Sequence, residues 1–276
     1  MSDRSGSLVL AACFALVFAT RAAAQPQPTI AAAPDSPEFM SRYDFHLSIA
    51  RLIGSTTAPT PRLIDDRFSW DSHFGGSFDF ADLVTARLGV LIDYQAVMGS
   101  EYRPFDPNQG NYTMEGFISA RVAPDTEIAG IFHHVSRHLS DRPKDFAVAY
   151  NEIGARVLTR MTLDATTVDL AIEGGRAVQH SFVDYTWLGE GQVQVRHPLN
   201  GRVALFAHGV GQAFAVDEAV AGRGTQAGGL LEGGVRVTGR GGLLEVFAGY
   251  ERRVDAFPVS RVPQRWALAG FRLLSR

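Results

Sequence analysis

Tyr43, Phe45, Leu47 and Ile49 alternate with Asp44, His46 and Ser48, a period of two that puts the apolar set on one face of an extended strand and the polar set on the other. The same alternation recurs along the chain. It predicts strands near 43–52, 67–79, 84–97, 111–122, 126–138, 148–160, 165–176, 183–196, 202–214, 226–237, 243–254 and 264–274. In the third, Val84, Ala86, Leu88, Val90, Ile92 and Tyr94 oppose Thr85, Arg87, Asp93 and Gln95; in the eighth, Tyr185, Trp187, Val193 and Val195 oppose Asp184, Thr186, Glu190, Gln192, Gln194 and Arg196.

The connectors alternate in length. Gly54–Asp66, Met98–Gly110 and Leu139–Ala147 are long, whereas Ala81-Asp82, Ala123–Asp125, Met161–Asp164, His197–Gly201 and Thr238–Gly242 are short. An even number of amphipathic strands, with long loops at one end and short turns at the other, predicts a closed all-β antiparallel transmembrane β-barrel of about 12 strands. Lipid offers no partner to a backbone amide, so strands can cross it only as a closed sheet with an apolar outer face. Small residues on the apolar face (Ala86, Gly116, Gly130, Ala155, Ala207, Gly233, Ala248) argue against a soluble barrel or sandwich, whose core would want bulk there. Tyr43, Trp70, Tyr112, Trp187, Tyr250 and Trp266 lie toward strand ends on that face and are expected in the interfacial girdles.

Residues 1–24 carry Arg4, an apolar run from Leu8 to Ala19 and Ala22-Ala23-Ala24, the order of a secretory signal peptide. A leader over 25–40 and the barrel over 41–276 follow, which places the protein in the bacterial outer membrane of a Gram-negative cell, inserted by the barrel-assembly machinery. The single cysteine, Cys13, falls inside the apolar run; it is removed with the signal peptide unless Leu10–Cys13 is a lipoprotein cleavage box. A net charge of −3, with no basic run, gives no footprint for nucleic acid.

Chemically capable side chains concentrate in 126–160. His133, His134 and His138 invite a metal reading, but His134 and His138 lie about 13 Å apart on one face and His133 points the other way, so one strand cannot bring them to one ion. His134 and Ser136 share a face at about 6.6 Å between Cα atoms, close enough for base and nucleophile. A loop centred between Pro143 and Lys144 puts Ser136 opposite Asn151, Phe132 opposite Ala155, Gly130 opposite Val157, and Glu127 opposite Arg160 in the lumen. Ser136, His134 and Asn151 then meet on the lipid-facing side of the outer rim, the arrangement wanted for attack on a lipid ester. Arg137, His138, Asp141, Arg142 and Lys144 fit a surface touching lipid headgroups.

The His134-Val135-Ser136 segment on the fifth predicted strand, with Asn151 on the sixth of twelve, resembles outer-membrane phospholipase A. That resemblance implies Ser136 as nucleophile, His134 as base and Asn151 as the group orienting it, with calcium assisting the oxyanion and a homodimer forming the substrate cleft. Those phospholipases follow their serine with Asn-Gly, where this chain has Arg137-His138. A second resemblance, of Phe132–Arg142 to the H-x-S-S-H-L-x-D stretch of a family of bacterial outer-membrane barrels of unknown function, extends to Asp66–Ser69 and His73–Phe80. It implies fold and location and no activity.

Glu115, Arg121, Glu127, Glu152, Arg156, Asp169, Glu173, Glu190, Arg196, Glu232, Arg236 and Glu245 are expected inside, both signs mixed, as a salt-bridged filling rather than a selective pore. Two functions stand open: a structural, lipid-contacting or small-solute transport barrel whose partners are outer-membrane lipids, with no cofactor and no metal, and a lipid esterase of phospholipase or lipid A deacylase type.

Overall fold

A computed structural model describes residues 30–57 and 66–275; the signal peptide expected over 1–24, Cys13 and the start of the expected leader lie outside them. Twelve strands form one closed antiparallel barrel in which every neighbour in space is a neighbour in sequence, with β1 (Glu38–Thr57) closing on β12 (Gln264–Leu274). Between them run β2 (Trp70–Asp82), β3 (Ala86–Gly99), β4 (Asp106–Ala123), β5 (Thr126–Leu139), β6 (Val148–Leu163), β7 (Thr166–Ser181), β8 (Tyr185–Pro198), β9 (Val203–Val216), β10 (Gln226–Thr238) and β11 (Leu243–Arg253). One end carries turns such as Pro124-Asp125 and Asp164-Ala165; the other carries loops such as 140–147, 217–225 and 254–263. The loop end includes one short connector, 182–184, because β7 extends five residues further outward than the expected 165–176.

The exterior is apolar and the interior polar, the inverse of a soluble barrel and the arrangement that hydrocarbon surroundings require. Ile118, Ile153, Ile172 and Val246 are all more than half exposed, while His46, His73, Glu127, Glu152 and Glu245 are fully buried in the lumen. Inside, the charged residues pair across strands. Arg87 contacts Glu127 through Nε and Nη2 at 2.9 and 3.0 Å and Asp79 at 2.9 Å. Arg272 joins Glu232 and Glu245, both at 2.7 Å. Asp93 accepts contacts from His46 at 2.7 Å and His73 at 2.8 Å. The His46 ring fits because Gly75 lies beside it, where a Cβ would stand 2.8 Å from the ring carbon Cε1.

Among the described residues, a void of about 250 Å³ lies in the turn-side half of the lumen and shares Arg42, Asp79 and Arg196 with a cavity of about 440 Å³ at the turn-end mouth; a void of about 120 Å³ toward the loops has no lining residue in common with either. At the turn end Ile30, ahead of β1, is buried against the inward-facing Leu158 and Ala171.

Three expectations are corrected. The β5–β6 register is two residues off: His134 pairs with Asn151, Ser136 with Ala149, Phe132 with Ile153 and Gly130 with Ala155. The loop is centred between Arg142 and Pro143 rather than one residue later, and because the slip is even no side chain changes face. Glu127 accordingly lies opposite Leu158 and pairs with Arg87, while Arg160 pairs with Asp169 on β7 at 2.6 Å. Tyr185 is buried, since a bulge between Tyr185 and Trp187 switches the face at the start of β8. Trp266 points inward with Leu268 and Arg272, and its indole donates to Glu251 at 3.0 Å.

Candidate site at the outer rim

The hairpin of β5 and β6 places its polar residues by parity. Ile128, Phe132, Ile153 and Val157 are exposed on the outer face, and His134, Ser136 and His138 continue that face toward the loops. His133 and Arg137, of opposite parity, point inward. His133 is buried beside Glu115 and Glu152, the latter 3.6 Å away, so the three histidines divide between two faces of the sheet.

On the outer face, His134 Nδ1 lies 2.7 Å from Asn151 Oδ1, a direct consequence of the observed register. Asn151 Nδ2 in turn donates to Gln179 Oε1 on β7 at 2.8 Å. With the amide assigned this way, His134 donates through Nδ1 and keeps Nε2 as an acceptor. Ser136 Oγ is 2.9 Å from Nε2 of His138, not of His134. His138 stands edge-on to Tyr112, with ring centroids 5.5 Å apart at 83°, and Tyr112 leans on Tyr94 at 4.9 Å. Half-buried serine, histidine and asparagine thus occupy one patch, but the hydroxyl is partnered on its loop side. The sequence pattern identifies the three residues; nothing in the spacing distinguishes His138 from His134 as the partner.

The neighbouring charged residues are engaged by protein. Arg137 donates to the backbone carbonyls of Asp255 at 2.6 Å and Ala256 at 2.9 Å inside the mouth. Arg142 bridges Glu101 at 2.6 Å and Asp106 at 2.9 Å and lies over Tyr102. Lys144 donates to the carbonyl of Arg137 at 3.2 Å, and the exposed Asp141 is 3.8 Å from Arg103. These contacts knit loops 100–105 and 140–147 to each other and to the end of β5.

A second polar group closes the loop end of the lumen, and sequence reasoning missed it because its members come from distant connectors. Asp255 accepts from Tyr185 at 2.7 Å and from both terminal nitrogens of Arg223, each at 2.7 Å. Arg223 also contacts Asp184 through Nε at 2.9 Å and Nη2 at 2.6 Å. Burial alone would raise the Asp184 carboxyl, but hydrogen bonds and charge from Arg223, with Arg261 behind it, outweigh burial and hold it below the usual carboxylate range.

No protein-family model matches the chain, and no curated protein matches its sequence. Solved structures do match. The fold is similar to outer-membrane phospholipase A from Escherichia coli (10% identity, TM-score 0.50, 84% of this chain and 92% of that one). It is similar to the calcium-bound phospholipase dimer from Salmonella typhi (10% identity, TM-score 0.50, 84% and 90%). It is also similar to an outer-membrane channel from Pseudomonas putida (9% identity, TM-score 0.53, 91% and 97%). At these identities the likeness is one of fold. The chain has the architecture of bacterial outer-membrane β-barrels, an architecture that hosts both an enzyme and a channel.

Proposed function

We propose that the protein is a filled, non-conducting barrel of the bacterial outer membrane whose working surface is its lipid-facing outer rim. It is exported by the signal peptide over 1–24 and inserted by the barrel-assembly machinery. The observation that carries this reading is the lumen: cross-strand ion pairs of both signs fill it, and the loop-side void has no lining residue in common with the two turn-side cavities. A selective pore needs a continuous wet path and a bias of charge. The side chains free to meet a partner are then those on the outside, where lipid is the neighbour. Purified protein in planar bilayers should leave the membrane silent; discrete, reproducible open steps would overturn the reading.

A second reading is favoured by one specific observation. His134 Nδ1 and Asn151 Oδ1 stand 2.7 Å apart on the outer face, with Ser136 two residues along the same strand. With the Ser136 hydroxyl 2.9 Å from an imidazole nitrogen on that same face, these groups are the start of a hydrolytic relay at the height of lipid esters. Release of fatty acid from phospholipid or lipid A by refolded protein, with and without calcium, compared with Ser136→Ala, tests it. Equal rates in the two proteins would end the esterase reading. Calcium and a homodimer enter only with that reading.

A further inference from the structure

Ser136 has histidines two residues before and two residues after it on the same face of β5, both with Cα atoms about 6.6 Å away. Spacing alone therefore offers the hydroxyl two equivalent bases. The hydrogen bonds break the tie. Asn151 and Gln179 engage His134 across β6 and β7, through the 2.7 Å contact at Nδ1 and the 2.8 Å contact behind it. Ser136 Oγ instead meets Nε2 of His138 at 2.9 Å. His138 has its own support from the edge-on contact with Tyr112, the residue directly opposite Ser136 on β4. Opposite His138 stands Gly110, where a Cβ would come within 2.8 Å of the Tyr94 hydroxyl, so the absence of a side chain there lets the aromatic row lie against the strand.

We infer that His138, not His134, is the proton acceptor of Ser136, and that His134, Asn151 and Gln179 form a positioning row beside it. The inference rests on the esterase reading. In the step, Ser136 Oγ bonds to the carbonyl carbon of a lipid ester while its proton passes to Nε2 of His138. Collapse of the tetrahedral adduct breaks the ester C–O bond, and the departing alcohol oxygen takes that proton. Water then attacks the acyl-serine, giving its proton through His138, and releases the carboxylic acid with Ser136 restored.

The test uses the refolded full-length mature chain in phospholipid micelles, with fatty-acid release and covalent labelling of Ser136 by an alkyl fluorophosphonate as two readouts. Folding of each variant is checked by the heat-dependent gel mobility of a closed barrel. His138→Ala should lower both rates by about 100-fold or more, as loss of a general base does. Added imidazole should restore part of the rate to that variant. His134→Ala should lower them by no more than about tenfold, the worth of one hydrogen bond, and should not respond to imidazole. The reverse pattern, His134→Ala inactive and His138→Ala active, overturns the assignment and leaves the esterase reading standing. Neither labelling nor fatty-acid release from the wild-type protein overturns both.

Discussion

Arg156 on β6 meets Glu115 on β4 through two parallel contacts, Nη1 to Oε1 at 2.7 Å and Nη2 to Oε2 at 2.6 Å, spanning the inner face of the β5 strand that lies between them. The same guanidinium reaches Glu173 on β7 at 2.6 Å. Four adjacent strands are thereby tied behind the rim patch. Arg156→Met removes the guanidinium shared by the buried Glu115 and Glu173, and the loss of one partner from a buried ion pair costs about 3–5 kcal/mol. Urea-dependent unfolding from lipid vesicles should register a loss of that size, and Arg156→Met with Glu115→Gln should lose less than the sum of the single changes. A single variant as stable as wild type would mean that the lumen network carries no structural weight.

Ile172 sits near the middle of β7 and is 69% exposed. In a soluble barrel an arginine there would be nearly neutral. Facing hydrocarbon near the midplane, Ile172→Arg should cost about 2–4 kcal/mol in the same assay. A cost under about 0.5 kcal/mol, the usual range for a water-exposed position, would contradict a lipid-facing exterior.

The loop-end closure depends on Asp255, which receives Tyr185 and Arg223. Hydrogen bonds to a charged group contribute roughly 1.5–3 kcal/mol. Asp255→Ala should free loop 254–263 while the barrel stays closed, so limited trypsin digestion should cut after Arg261 in the variant and spare it in wild type. Equal cutting would remove the closure as a distinct element.

The pH dependence of that closure follows from Asp184, whose carboxyl is held below its usual range. A depressed folded-state pKa contributes stability that is present above the unfolded value, about 3.9 for aspartate, and is lost as pH falls through the folded value. The loop end should therefore hold from neutral pH down past 4 and loosen only in stronger acid. Pepsin nicking of loops 182–184 and 217–225, followed across pH 2–4, measures this; nicking already complete at pH 4 would contradict it.

All twelve strands are legible in the periodicity because each has one apolar and one polar face, and lipid and lumen enforce that contrast over the full strand length. The charged residues expected inside, from Glu115 to Glu245, are inside for the same reason. What the pattern could not supply is exact pairing. Two-residue slips preserve every face, so nothing in the alternation separates Ser136 opposite Asn151 from the observed His134 opposite Asn151. Tyr185 departs from its expected face because a bulge adds one residue and leaves no mark in composition, and Trp266 because the aromatic content of a strand end says nothing of parity. His46 and His73, which flank Asp93, lie at inward positions but come from separate strands, so their meeting needed the register. The Ser136 contact was illegible by symmetry, with a histidine at equal distance on either side.

Ser136 and Arg137 leave one peptide bond in opposite directions, the hydroxyl to the lipid side and the guanidinium to the carbonyls of Asp255 and Ala256. Strand ends ordinarily fray, opening and closing independently of distant loops. Here the last residues of β5 and the start of loop 254–263 share their anchor, so they open as one cooperative unit: amides of 135–139 and 254–257 should exchange hydrogen at matched rates, and the rim patch keeps its shape for as long as the mouth stays shut.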